Sequence, residues 1–225
     1  MKTFKVLGLL MSYPKPEWIA HLGDCEVLLM EEKFLPKKQL QAVLAFIAEL
    51  KTADIYAAQE EFVGTFDRGR SHSLHLFEHI HGESRDRGQA MVNLADAYEE
   101  KGLYIDHAEL PDYIPLFLEF LSLCPADEAV ALLGEPIDIM ATIAARLKNR
   151  DSSYAALFDA LVALSKVKPS QEKIEEALAQ EPEDTSLDAL DKEWEEAAAF
   201  AGQPGQSDCG SCTTPSDGLD IKITQ

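Results

Sequence analysis

Basic residues are scarce in this chain. Its 225 residues hold 20 Lys and Arg against 40 Asp and Glu, a formal net charge of -20. Nucleic acid is a poor partner for such a surface, because gripping phosphates needs a basic face. An anionic membrane surface is excluded on the same ground. The charge favours solubility and a basic partner. Cysteine is scarce as well. Cys25, Cys124, Cys209 and Cys212 are too few and too scattered for a disulfide scaffold. Long apolar runs are missing. The opening Met-Lys-Thr-Phe-Lys-Val-Leu-Gly-Leu-Leu-Met imitates a signal peptide but stops at Ser12-Tyr13-Pro14 with no cleavage site. It is far shorter than the ~20 residues of a membrane helix. The expectation is a cytoplasmic protein with reduced thiols. A Gly-rich phosphate loop, Gly-x-Ser-x-Gly and His-Glu-x-x-His are all absent, so several enzyme classes lose their support together and no catalytic residue is assigned.

What is present is helical periodicity. Leu40, Val43, Leu44, Ile47 and Leu50 follow one buried helix face, and Ala58, Phe62 and Phe66 lie four apart. Met91, Leu94, Ala95 and Tyr98 repeat the pattern, as do Tyr154, Leu157, Phe158, Leu161 and Leu164. No stretch sustains the period-two alternation of a strand. The fold class is all-α, a single multi-helix domain. At 46% hydrophobic residues the chain is long enough to close a core without metal or disulfide.

Helix ends are marked by breakers. Pro14 and Pro16 bracket the first loop, Pro36 opens the helix carrying Leu40, and Asp54 is an N-cap for the helix through Phe66. Gly102 ends the helix through Tyr98. Pro125 and Pro136 start two more, and Asp151-Ser-Ser153 is expected to cap the helix through Leu164. Pro169-Ser170 opens a short helix. A polar linker at 181–186 precedes a last helix from about 187 to 200. From Pro169 onward fourteen Asp and Glu stand against three Lys, so the end of the chain is the more acidic part. The domain is expected over residues 1–202, with acidic helices in 169–202. Residues 203–225, rich in Gly, Ser, Thr, Pro and Asp, are expected to be a disordered tail. Cys209-Gly-Ser-Cys212 in that tail lacks the second ligand pair of a metal site and the flanking strand and helix of a redox motif.

Two segments stand out. The first, Ser71-His-Ser-Leu-His-Leu-Phe-Glu-His-Ile-His81, holds four of the six histidines. In a helix, His72, His75 and His79 would share a face at metal-ligand spacing. A helical metal-binding protein or metalloenzyme using them is therefore an alternative reading. The other reading is that they cap, pair with nearby acids or face solvent. The second segment is Asp106-His-Ala-Glu-Leu-Pro-Asp-Tyr-Ile-Pro-Leu-Phe-Leu-Glu-Phe-Leu121. Pro111 turns the chain and Pro115 suits a first helical turn, leaving Asp106, His107 and Glu109 in a loop at the mouth of an apolar helix. The loop reads either as an interhelical linker or as a site for a partner's backbone and charge.

Leu74-His-Leu-Phe-Glu-His-Ile-His-Gly-Glu-Ser-Arg-Asp-Arg-Gly-Gln-Ala-Met91, taken with Leu110-Pro-Asp-Tyr-Ile-Pro-Leu-Phe-Leu-Glu-Phe-Leu121, closely resembles the TorD/DmsD/NarJ family of redox-enzyme maturation proteins. The resemblance runs over roughly residues 1–200. It implies an all-helical cytoplasmic chaperone without catalytic activity. The implied client is the apo catalytic (alpha) subunit of a respiratory nitrate reductase, bound through its N-terminal segment. The chaperone binds no cofactor permanently. It assists molybdenum cofactor insertion and complex assembly, delays membrane docking, and is absent from the finished enzyme. In the family an Asp-His pair shortly before Glu-Leu-Pro contributes to leader-peptide binding, and Asp106-His107-Ala108-Glu109-Leu110-Pro111 matches that pattern. A helical client segment would lay its apolar face into a groove. The residues expected to bind it are Asp106, His107, Glu109, Leu110, Pro111, Tyr113, Leu116, Phe117, Phe66, Leu76, Phe77 and His79, with Phe120 a further candidate for the lining. Taken one by one, the aromatic and aliphatic members read as core before groove.

Overall fold

The computed structural model describes residues 1–79, 85–105 and 109–179, all within one compact unit spanning Met1–Thr185. Asp106, His107, His81, the linker, the last expected helix, the tail and its two cysteines lie outside the described residues. The described residues contain helices and no strand. These are α1 (Lys2–Leu10), α2 (Pro16–Ile19), α3 (Leu22–Glu32), α4 (Lys37–Thr52), α5 (Ile55–Phe66), α6 (Arg85–Glu100), α7 (Ile114–Leu123), α8 (Ala126–Leu133), α9 (Ile137–Asn149), α10 (Ala155–Leu164) and α11 (Gln171–Ala179). Two 3₁₀ turns, Arg70–His72 and Leu76–Glu78, lie between α5 and α6. None of these helices is long and apolar enough to cross a membrane.

The apolar stripes read from the sequence meet in one core. α7 packs on α1, α1 on α3, α3 on α4, α4 on α10, and α10 on α9, with α11 laid against α9. Val43, Ile47, Leu50, Phe62, Phe66, Leu157, Phe158 and Leu161 are all buried. An aromatic cluster ties α4, α5 and α10 together: the Tyr154 ring lies 4.9 Å from Phe46 and 4.9 Å from Phe66. Such pairs add roughly 0.5–1.5 kcal/mol each beyond their buried area.

Local chemistry explains most boundaries. Asp54 accepts from the backbone N–H of Tyr56 and Ala57 and caps α5. Gly102, at φ 78°, ends α6: its N–H reaches the Glu99 carbonyl, and that of Leu103 reaches Tyr98. Asp151 corrects an expectation. It does not cap α10, whose N-cap residue is Tyr154 and which has no side-chain cap. It takes φ 53° and closes α9 instead, with the Ser152 N–H on the Leu147 carbonyl. Asp tolerates this left-handed position as the short polar stand-in for glycine.

The start of α1 is capped from a distance. Glu32, the last residue of α3, accepts from the N–H groups of Lys2 (2.9 Å) and Thr3 (2.6 Å) and from Thr3 Oγ1 (2.5 Å). Burial works against its charge, yet these bonds hold its carboxyl below the ordinary value. The stabilisation is therefore present above about pH 4.5 and lost as pH falls through the lowered value.

α1 and α7 cross in close contact at Gly8. A Cβ there would stand 2.9 Å from the Pro115 carbonyl oxygen and 3.3 Å from Leu118 Cβ. The obstacle is backbone and cannot turn aside. Gly8→Ala is expected to cost about 1–3 kcal/mol by forcing the two helices apart. Gly64→Ala, in α5 with open space around it, should gain up to about 1 kcal/mol. Urea midpoints of the two variants check the contrast.

Candidate functional site

The segment 109–113 is held from beneath by one residue. Asp112 is fully buried, and its carboxyl receives two hydrogen bonds. Oδ1 accepts from His75 Nδ1–H at 3.1 Å, and Oδ2 from the Phe77 N–H at 3.1 Å. A carboxylate only accepts, so the His75 proton sits on Nδ1. The backbone closes the seam: Leu76 N–H donates to the Asp112 carbonyl at 3.0 Å, and Ile114 N–H to that of Leu74 at 2.8 Å. From the other side the buried Tyr98 donates its O–H to the Pro111 carbonyl at 2.8 Å, while its ring lies 4.7 Å from that of Phe120. Loop, histidine segment and α7 are therefore one fixed assembly. Asp112 and Tyr98 are the residues sequence reasoning missed. A lone polar residue between two prolines was the only signal for Asp112.

The histidines do not share a helix face. His72 closes the first 3₁₀ turn, His75 is extended, and His79 follows the second turn. Each has its own partner. His72 Nδ1 lies 2.9 Å from Ser71 Oγ, His75 bonds Asp112, and His79 Nε2–H donates to the Ser73 carbonyl at 2.9 Å. The helical spacing behind the metal reading is thus overturned. Among the described residues no group of three His, Cys, Asp or Glu is placed to hold a metal. Their electrostatics diverge as well. The hydrogen bond to Asp112 raises His75 above its ordinary value. Burial, then the charges of Arg150 and Arg146, push His72 down to about 4. Burial also lowers His79.

Above the Asp112 seam a groove opens between α1 and α7. It is lined by Lys5, Gly8 and Leu9 from α1, by Ser12 just beyond it, and by Glu109, Tyr113, Pro115, Leu116 and Glu119. The close approach at Gly8 forms its floor. Glu109 and Leu110 are exposed, and Leu110 keeps 48% of its surface in solvent. Pro111, Tyr113 and Leu116 are half-buried. Burial and then the Glu109 carboxylate push the Tyr113 hydroxyl up to about 12, so the groove presents a neutral phenol. Lys5 pairs with Glu119 at 2.9 Å across the rim.

Of the expected site residues, Glu109, Tyr113 and Leu116 line this groove, with Leu110 and Pro111 beside it. Phe66, Leu76 and Phe117 do not. Each is at most 6% exposed and belongs to the core, as does Phe120, because aromatic area of that size is worth more inside than in an open groove. Phe77 and His79 are half-buried on the histidine segment and are absent from the groove lining. Lys5, Leu9 and Ser12 were not anticipated, since nothing in the sequence pairs α1 with α7.

The family model described as nitrate reductase delta subunit matches residues 34–160. The nitrate reductase molybdenum cofactor assembly chaperone NarJ of Escherichia coli K12 is 43% identical over 191 residues, covering 85% of this chain and 81% of the relative. The Probable nitrate reductase molybdenum cofactor assembly chaperone NarJ of Bacillus subtilis is 34% identical over 164 residues, 72% of this chain and 86% of that one. Among solved structures, a candidate redox enzyme maturation protein from Archaeoglobus fulgidus superposes with a TM-score of 0.52 at 26% identity, covering 72% of this chain and 91% of that one.

His72 sets a pH dependence whose sign is fixed. Its folded value lies below the ordinary 6.5, so the unfolded chain binds the proton more readily. Stability should fall as pH drops from 6.5 toward 4, by on the order of 3 kcal/mol. His75 acts oppositely: its contribution is full below pH 6.5 and fades as pH rises through its raised value. Denaturant unfolding of His72→Gln should show the acid-side slope flattened. Asp112→Ala leaves the Phe77 N–H and His75 without an acceptor and is expected to cost about 3 kcal/mol. An NMR titration of Asp112→Asn should show the His75 value moving down.

Proposed function

The chain belongs to the nitrate reductase delta subunit family, and from that premise we propose that it is a system-specific assembly chaperone of a respiratory nitrate reductase. Its partner is the apo catalytic subunit. It holds that subunit competent for molybdenum cofactor insertion before the complex docks at the membrane, and it leaves the finished enzyme. It works in the cytoplasm and performs no catalytic step of its own. The carrying observation is the 43% identity over 85% of the chain to a protein of that role.

We place the client contact in the groove between α1 and α7. Leu9, Tyr113 and Leu116 offer apolar area for one face of an amphipathic N-terminal segment of the client, and exposed Leu110 extends it. Glu109, Glu119 and the chain's charge of -20 draw a basic segment toward it. By the family resemblance, Asp106 and His107 stand at the head of the same contact.

Calorimetry with a synthetic peptide of the catalytic subunit's N-terminus tests this. One-to-one binding is expected, weakened about tenfold by Leu110→Ser or Leu116→Ser, since each removes roughly 1–2 kcal/mol of apolar contact. Glu109→Lys should weaken binding most at low salt, the signature of a screened charge. Asp106→Ala and His107→Ala should weaken it without lowering the melting temperature. Absence of heat between pH 6 and 8 would reject the function. Unchanged affinity in all the variants would move the site elsewhere.

A further inference from the structure

The groove between α1 and α7 differs from one end to the other. Three pairs of residues face each other across it. Lys5 Nζ meets Glu119 Oε1 at 2.9 Å, Gly8 stands against Pro115, and the Ser12 and Tyr113 hydroxyls are within hydrogen-bond reach. Residue numbers rise along α1 while they fall along α7, so the two helices run antiparallel. Leu9 and Leu116 line the stretch between the outer pairs. From Lys5 to Ser12 is two helical turns, about 10 Å, which is room for two turns of a bound helix.

Charge separates the two ends. At one, Glu119 is neutralised by Lys5. At the other, Glu109 is exposed and makes no ion pair among the described residues. Asp67 adds to it: both carboxylates act on the Tyr113 hydroxyl and disfavour its ionisation. Arg68 and Arg70 line the pocket beyond Asp67 and are absent from the groove lining. The groove thus runs from a negative end at Tyr113 to a neutral end at Glu119. A helix carries the complementary asymmetry, about half a positive charge at its N-terminus and half a negative charge at its C-terminus. A segment that begins its own chain adds an α-ammonium charge at the first of these. Lys5 uses one ammonium N–H on Glu119 and keeps the others for carbonyls left unsatisfied at a helix C-terminus.

We propose that the client segment lies in this groove in one direction only, its N-terminus at Glu109 and Tyr113 and its later turns at the Lys5–Glu119 pair, parallel to α7 and antiparallel to α1. This rests on the peptide-binding reading above and adds a polarity to it. Glu109 is then the residue that sets direction, because it receives the α-ammonium group. The reverse placement would set that group against Lys5 and the C-terminal carbonyls against Glu109, a like-charge cost at both ends. The rest of the catalytic subunit leaves the groove beside the start of α1 and the end of α7, so its body stands at that end of the chaperone.

The test uses a synthetic peptide of the catalytic subunit's N-terminus carrying a rigid nitroxide amino acid, placed in one version at the second residue and in another at the last. Each is titrated into the full-length, isotopically labelled protein and followed by NMR. The nitroxide near the peptide's N-terminus should broaden the amide signals of Ser12 and Tyr113 more than those of Lys5 and Glu119, and the one at its C-terminus should do the opposite. In calorimetry, acetylating the peptide's N-terminus should weaken binding about threefold or more at low salt, and that loss should vanish in Glu109→Gln. The opposite order of broadening, equal broadening from the two versions, no loss on acetylation, or the same loss in Glu109→Gln would each overturn the proposed direction while leaving the groove as the client's site. No binding, or broadening confined to signals outside the groove, would remove the groove reading and the direction with it.

Discussion

Asp112 holds together two segments that the chain separates by about the length of a helical hairpin. A fully buried carboxylate is costly unless every oxygen finds a donor and a positive neighbour shares its charge. Here the Phe77 N–H takes one oxygen and the His75 imidazole the other. The requirement runs both ways. The histidine segment has little regular structure of its own, only two short 3₁₀ turns, so many of its backbone groups need partners elsewhere. The loop before α7 supplies them through the Asp112 side chain and carbonyl and through Ile114 N–H. Tyr98 pins the same loop from α6. The seam fixes the start of α7, and the packing of α7 on α1 at Gly8 fixes the rest.

Two surfaces of opposite character result. On one side Gly8 lets α1 approach Pro115, and the residues flanking that contact form an apolar groove with glutamates at its rim. On the other, the turn after α5 and the histidine segment form a polar pocket lined by Arg68 and Arg70 and by Asp67 and Glu78. His75 and Tyr113 stand between them, ring against ring.

Much of the fold was legible because it rests on local rules. The stripes through Val43, Ile47 and Leu50 and through Leu157, Phe158 and Leu161 are buried where the 3.6-residue period puts them, and Asp54, Gly102 and Pro136 act at helix ends as their backbone chemistry requires. The candidate site was legible in outline. Glu109, Tyr113 and Leu116 were singled out from the loop and helix around Pro111 and Pro115, and they line the groove. Phe66, Leu76 and Phe117 were not separable from them by type, since an aromatic or aliphatic side chain reads the same in a core as in a groove. The histidine spacing misled because it presumed a helix where the Asp112 seam draws the backbone into short turns and extended links.

The sequence by itself determined the all-α class, the positions of most helix ends, the net acidity and the family. Each of these rests on nearest-neighbour backbone preferences, periodicity or summed charge, none of which needs the chain to be folded in thought. Only the tertiary structure decided which carboxyl is buried, that Gly8 faces Pro115 and which aromatic rings stay outside. Those facts depend on contacts between residues far apart along the chain, and a single sequence carries no local physical trace of them.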